Sequence, residues 1–261
     1  MDLDLAGKTA VVTGASKGIG LAVTTALVAE GAHVVAGSRT LTPELESLIP
    51  GGAVTFVPCD LSTPTGPDAL IAAATDLGGV DVLVNNAGSA TPRIGGFASV
   101  SDDDWLATLT LNLLSAVRTT RAALPQLQRR GGGSVVTVSS VNSFLPDPAV
   151  VDYCASKAAL TNFCKALSKE VARQDIRVNT VSPGPVSTAL WLGEQGVATV
   201  VASVSGTTPQ AVTDAAAAGS ETGRFTRPEE VADLVLFLAS ARSGNITGAD
   251  FVIDGGLIKT L

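Results

Sequence analysis

The sequence predicts an α/β fold: a single domain, residues 1–261, built on a doubly wound parallel sheet of about seven strands. Three observations carry that expectation. Short β-branched runs alternate with helical stretches along the chain. The first run is followed by a glycine-rich turn and then a helix, the order of a phosphate-binding half-fold. Hydrophobic residues make up 46% of the chain, with a mean hydropathy of +0.37. That excess fits a sheet covered on both faces, with some left over for subunit contacts.

Lys8 to Thr13 (KTAVVT) is the first strand. It runs into Gly14-Ala15-Ser16-Lys17-Gly18-Ile19-Gly20 and then LAVTTALVAEG, a helical pattern closed by Gly31. Glycines at this spacing let the backbone turn tightly beside a pyrophosphate, whose charge the helix N-terminus meets. His33 to Gly37 and Val54 to Val57 are the next strands, the latter ending at Cys59-Asp60-Leu61. Asp81 to Val84 is the fourth, running into Asn85-Asn86-Ala87-Gly88. A long helix is expected from about Asp102 to Gln128, with Pro125 marking a kink or an earlier end. Ser134 to Ser139 is the fifth strand, and a helix carrying Tyr153-Cys154-Ala155-Ser156-Lys157 follows. Arg177 to Val181 is the sixth strand, ending at Pro183-Gly184; a helix from Glu229 to Ser240 and a short strand from Phe251 to Ile253 complete the order. The Ala tract 215–218 reads as compositional bias.

Bulk properties exclude several function classes. The net charge of −7 and pI near 4.7 argue against a general nucleic-acid surface, which needs a basic field. No uncharged apolar run reaches the roughly 18 residues of a membrane span, and Val231 to Ala239 is interrupted by Asp233. The start, MDLDLAGK, is acidic and unlike a signal peptide. Cys59, Cys154 and Cys164 have no C-x-x-C spacing, and His33 is the only histidine, so no metal cluster is expected. Reduced thiols in a cytoplasmic protein fit this cysteine usage.

Tyr153 is the only tyrosine, and in a helix Tyr153 and Lys157 share one face. A phenol is a weak acid at neutral pH, and a neighbouring ammonium favours its ionised form. Such a pair exchanges a proton with a carbonyl or alcohol oxygen. In isolation the same spacing also fits a half-buried Tyr beside a snorkelling Lys.

TGASKGIG near the N-terminus, NNAG at 85–88, a serine thirteen positions before Tyr153, YCASK, and SPGPVST at 182–188 occur together and in order. With them the chain resembles the short-chain dehydrogenase/reductase family over essentially its whole length. The resemblance implies a Rossmann-like fold, a nicotinamide cofactor and reversible carbonyl–alcohol chemistry. It assigns Ser140 to the substrate oxygen, with Ser139 the adjacent alternative. Tyr153 becomes the proton donor and acceptor, and Lys157 both lowers its pKa and binds the nicotinamide ribose. Asn112 is implied to hold a water that extends the proton relay, although an exposed helix asparagine reads the same way. Gly14, Ser16, Lys17, Gly18, Ile19 and Gly20 take the pyrophosphate. Asp60, with Leu61 beside it, is implied at the adenine ring, and Asn86, Ala87 and Gly88 beside the adenine ribose. Pro183, Gly184, Val186 and Thr188 shape the nicotinamide end.

The cofactor is expected to be NADP(H). An acidic residue at the end of the second strand repels a 2′-phosphate; here Ser38 holds that place and Arg39 follows. Arg39 and Lys17 supply the positive charge. A substrate-covering segment is expected at about 186–221, with Leu190, Trp191, Leu192 and several valines but only Glu194 and Asp214 as charges before Glu221. This composition suits a neutral, hydrophobic ketone or its alcohol, touching Trp191 or Leu192. The competing substrate is a 3-oxoacyl thioester on an acidic carrier protein, supported by Arg129, Arg130 and Arg173. A dinucleotide-binding redox sensor is the non-enzymatic alternative, one that expects Tyr153 or Lys157 to be replaced. A homotetramer is expected from the apolar excess, and the resemblance implies that the Asp102–Gln128 and Tyr153–Arg173 helices pair across an interface.

Overall fold

The computed structural model describes residues 2–260; Met1 and Leu261, the ends of the expected 1–261 domain, lie outside the described residues. In chain order the elements are β1 (Thr9–Thr13), α1 (Gly18–Ala29), β2 (His33–Ser38), α2 (Pro43–Glu46), β3 (Val54–Pro58), α3 (Gly66–Asp76) and β4 (Val82–Asn85). Then follow α4 (Asp102–Leu109), α5 (Ser115–Arg129), β5 (Gly133–Val138), α6 (Val151–Val171), β6 (Ile176–Pro183), α7 (Ala189–Leu192), α8 (Val197–Ser205), α9 (Pro209–Ala218), α10 (Pro228–Ala239) and β7 (Asp250–Ile253).

The strands form one sheet in the order β3-β2-β1-β4-β5-β6-β7, every pair parallel. Period-two alternation divides the apolar side chains between two layers. Val12, Val34, Val84 and Val136 pack with Val23 and Leu27 of α1 and Val235 and Leu238 of α10. Val11, Val35, Leu83 and Val135 pack on the other face with Leu70 of α3, Leu127 of α5 and Leu160 of α6. Both faces are covered, which is why these strands read as continuous apolar runs.

The chain winds outward from β1 through β2 to β3, then returns to begin β4 on the other side of β1. The order reverses between β1 and β4, whose register pairs Val12 with Val84. Just beyond that pair, at the carboxyl ends of the strands, doubly wound sheets have their ligand crevice.

The expected helix from Asp102 to Gln128 is corrected in one respect. It is interrupted by a π turn, Thr110–Leu114, with Asn112 at its centre. Pro125 does not end it and lies inside α5. Arg121 and Pro125 are exposed, so solvent satisfies the Arg121 carbonyl that Pro125 leaves without a donor. α3 was not delimited in advance; its first residue, Gly66, packs where a Cβ would meet the Asp60 carbonyl at 2.0 Å. The segment after β6 folds into α7, α8 and α9, and the Ala tract forms the last turn of α9.

Candidate active site

The glycine turn is set by close backbone approach. Gly14 and Gly18 have φ of +65° and +55°, values that L side chains rarely adopt. A Cβ on Gly20 would fall 2.1 Å from the Gly14 carbonyl oxygen and 2.5 Å from the Asn86 amide nitrogen. Asn86 in turn donates from Nδ2 to the Thr13 and Gly14 carbonyls at 3.0 and 3.2 Å. Thr13 Oγ1 accepts the backbone N–H groups of Asn86 and Ala87 at 2.9 and 3.0 Å, holding the ends of β1 and β4 together. Ser16 is buried in the turn, with its carbonyl accepting from Thr42 Oγ1 at 2.7 Å. Ile19 is half-buried against the core. α1 starts at Gly18 without a side-chain cap, leaving the positive end of a twelve-residue helix at the turn.

Ser38 ends β2 and donates to the Thr40 carbonyl at 2.8 Å. Arg39 and Lys17 are exposed, and neither makes an ion pair among the described residues. Asp60 is exposed and accepts from the Ser62 backbone and hydroxyl at 2.9 and 2.7 Å. Those bonds, with a smaller contribution from Arg39, hold its carboxyl below the usual range. Leu61 beside it is buried.

Tyr153 and Lys157 lie one turn apart on α6, facing the end of β5. Ser140 follows that strand, and its hydroxyl lies close enough to the phenol to favour the ionised form. Ser140 Oγ also accepts the Asn142 N–H at 3.1 Å and makes a long 3.3 Å bond to Asn142 Oδ1. Ser139 turns away, sharing a 2.6 Å hydrogen bond with Thr161. Geometry therefore brings Ser140, not Ser139, to the phenol.

Lys157 is 4% exposed. Its ammonium donates to the Val138 carbonyl at 2.9 Å and stands 5.7 Å from the centre of the Tyr153 ring. The expected net lowering of the Tyr153 pKa is not found in this arrangement. Burial pushes the phenol up to about 12, against a smaller downward pull from Ser140. Burial likewise brings Lys157 down to about 8. Desolvation disfavours both charged forms, and the ammonium bonds to backbone rather than to the phenol.

Asn112 is buried in its π turn. Its side chain accepts from Ser89 N at 2.8 Å and donates to Ser89 O at 2.9 Å and to Ser156 Oγ at 3.1 Å. These bonds tie α6 to the strand end that carries Ala87 and Gly88. A Cβ on Gly88 would lie 3.1 Å from Asn112 Oδ1 and 3.5 Å from Lys157 Nζ.

Pro183 closes β6, and Gly184 packs so tightly that a Cβ would meet Asp254 Cα at 3.0 Å. Val186 is buried and bridges to Thr226. The Thr188 methyl would lie 3.2 Å from a Cβ on Gly18, closing the crevice across the glycine turn. Trp191 does not project freely: its ring meets Phe225 edge-on, centroids 5.2 Å apart and planes at 77°. Leu190 and Leu192 remain exposed, as do Ile94, Phe97, Phe144 and Leu145 on other loops at the same edge of the sheet.

Arg130, of the expected basic patch, is bound to Asp81 at 3.0 Å. It precedes β5 and so lies at the edge where strands begin, opposite the site. Thr13 and the Arg93–Asp152 pair were missed from the sequence. Thr13 carried a signal, a hydroxyl in the last position before the glycine turn; Arg93 and Asp152 are 59 positions apart and carried none.

The three cysteines are free and buried, and burial raises all three thiols, Cys164 to about 11. Among the described residues no His/Cys/Asp/Glu group is placed to hold a metal ion. No described helix is long and apolar enough to cross a membrane.

Fold and site together define a class of α/β protein with a glycine-turn crevice and a grouped Ser, Tyr and Lys at its mouth. A family described as Enoyl-(Acyl carrier protein) reductase matches residues 14–258. Dehydrogenase/reductase SDR family member 4 of Homo sapiens is 34% identical, over 97% of this chain and 88% of its own. The 3-oxoacyl-(acyl-carrier-protein) reductase FabG of Thermotoga maritima is also 34% identical, over 97% and 99% of the two chains. L-sorbose reductase from Gluconobacter frateurii, solved with NADPH and L-sorbose, superposes with a TM-score of 0.91 at 33% identity, covering 100% of both chains. The chain belongs to the short-chain dehydrogenase/reductase family of oxidoreductases.

Proposed function

We propose that the chain is an NADP(H)-dependent carbonyl reductase that interconverts a neutral, largely hydrophobic ketone and its secondary alcohol. The observation that carries this reading is the grouping of Ser140 beside the Tyr153 phenol with buried Lys157 one turn away, its ammonium 5.7 Å from the ring centre. The crevice residues fit a dinucleotide: the glycine turn admits no Cβ at Gly20, and the helix end behind it is uncapped. Gly14, Ser16, Lys17, Gly18, Ile19 and Gly20 hold the pyrophosphate, and Ser38 and Arg39 the adenosine 2′-phosphate. Asp60, Leu61, Asn86, Ala87 and Gly88 line the adenosine half; Tyr153, Lys157, Pro183, Gly184, Val186 and Thr188 line the nicotinamide half. The bound nicotinamide supplies the hydride.

The protein's own part is to place and move a proton. Tyr153 is un-ionised at neutral pH and gives its proton to the carbonyl oxygen. Ser140 donates a hydrogen bond to that oxygen as charge develops there, replacing its weak bond to Asn142. The Lys157 ammonium stabilises the phenolate left behind, and Asn112 holds the turn from which a water returns the proton. In alcohol oxidation the same groups act in reverse.

The use of NADP(H) is supported by exposed cations at Lys17 and Arg39, by Ser38 in place of a carboxylate, and by the NADPH in the sorbose reductase structure. An apolar substrate is supported by the exposed Ile94, Phe97, Phe144, Leu145, Leu190 and Leu192 around the crevice.

The test is a screen of NADPH oxidation against free ketones, quinones, steroids and carrier-linked 3-oxoacyl chains. Apolar ketones should be the best substrates. Much faster reduction of carrier-linked chains, lost on Arg130→Glu, would replace this reading with a 3-oxoacyl-thioester reductase. Cofactor binding without turnover of any carbonyl would favour a redox sensor.

A further inference from the structure

Asp152 directly precedes Tyr153 in the first turn of α6, and its side chain is 1% exposed. A buried carboxylate is costly unless its lone pairs are matched. Here Arg93 reaches it from the loop after β4, with Nε at 3.1 Å from Oδ2 and Nη2 at 2.5 Å from the same oxygen. Thr108, near the end of α4, adds its hydroxyl at 2.6 Å. Arg93 also donates from Nη1 to Asp104 at 2.9 Å and from its backbone N–H to the Ala149 carbonyl at 2.6 Å. One guanidinium thus joins the loop after β4, the start of α4 and the turn that leads into Tyr153. The Asp152 carboxyl lies below the usual range: burial raises it, but the Arg93 and Thr108 bonds more than offset this.

Arg93 is followed by Ile94, 55% exposed, and Phe97, 69% exposed, which stand on the same loop at the mouth of the crevice. A planar fork fixes direction as well as distance, which a single ammonium does not. We propose that the Arg93–Asp152 pair is a positioning device that holds the Tyr153 phenol and the Ile94–Phe97 wall in one register, so that a substrate resting on that wall meets the phenol. The inference rests on the carbonyl-reductase reading for its kinetic arm, and on geometry alone for its spectroscopic arm.

Two variants separate positioning from folding. Arg93→Lys keeps the charge and loses the fork. The double variant Arg93→Met with Asp152→Asn removes both charges, so no carboxylate is stranded. Because Tyr153 is the only tyrosine, fluorotyrosine incorporated throughout the chain gives one fluorine NMR signal from this ring. The wild type should show a single narrow resonance, and both variants a broadened or divided one. Both should lose on the order of 10- to 100-fold in kcat, the scale of a small misplacement of reacting groups. KM for the ketone should rise, and NADPH affinity measured by fluorescence should stay the same. A double variant with wild-type kcat and the wild-type resonance would overturn the proposal and leave the pair a purely structural bridge. If the wild type reduces no carbonyl, the functional reading fails, and the resonance still decides: unchanged in both variants overturns positioning, broadened or divided supports it.

Discussion

The Lys157 ammonium faces the Tyr153 ring at 5.7 Å but gives its hydrogen bond to the Val138 carbonyl. The two side chains face one another without a hydrogen bond between them, each in a desolvated setting that favours its neutral form. Lys157 titrates at about 8, below its usual 10.5, and Tyr153 at about 12, above its usual 10.

A pH dependence follows. As pH rises through about 8, Lys157 loses the charge that stabilises the developing phenolate, while Tyr153 keeps its proton. The profile of kcat/KM for ketone reduction reports the free enzyme and should fall above about pH 8. A profile flat to pH 10, the ordinary phenol value, would contradict this. The stability signs are opposite for the two groups. Between about 8 and 10.5 the unfolded chain holds a proton on Lys157 that the folded one lacks, so this group's contribution to stability rises with pH. Between about 10 and 12 the folded chain holds the Tyr153 proton that the unfolded one has lost, so that group's contribution falls.

Gly20→Ala should disable the crevice. The new Cβ would meet the Gly14 carbonyl oxygen at 2.1 Å, and backbone cannot swing aside as a flexible side chain does. Overpacking of this kind costs about 1–3 kcal/mol. Thermal unfolding should show that loss, and fluorescence titration a large drop in NADPH affinity. Unchanged affinity would remove the glycine turn from the cofactor site.

Ser38→Asp should turn the preference from NADPH toward NADH. A carboxylate at the end of β2 hydrogen-bonds the ribose 2′-OH and repels a 2′-phosphate. Comparing kcat/KM for the two cofactors before and after substitution checks this. A wild type already as efficient with NADH would reject the role of Ser38 and Arg39.

A homotetramer is expected in solution. Leu106 and Leu114, on the α4–π turn–α5 unit, and Val252 of edge strand β7 are exposed apolar side chains that subunit contacts would cover. Light scattering should give about four times the chain mass of 26.2 kDa. A single-chain mass at micromolar concentration would contradict it.

Local signals explain what was legible in the sequence. β-branched runs marked all seven strands, most plainly the central ones, which are buried on both faces and so apolar throughout. The glycine turn and YCASK mark local geometry, a tight approach and a shared helix face, so their spacing is visible in one dimension. Two features were not visible this way. The π turn at Asn112 sits inside an unbroken helical pattern and is braced by Ser89 and Ser156, 23 and 44 positions away. The pKa values depend on how deeply Tyr153 and Lys157 are buried, which the i, i+4 spacing does not report. Pro125 lies within α5 on an exposed face, where the missing N–H is tolerated.

The proton donor is the centre of this account, and Tyr153→Phe tests it most directly. The substitution removes one oxygen and keeps the ring against α6, so folding and NADPH affinity should be unchanged. Loss of general acid catalysis should lower kcat for ketone reduction by roughly 10²- to 10⁴-fold. A Tyr153→Phe enzyme that keeps most of its turnover would show that the proton comes from elsewhere.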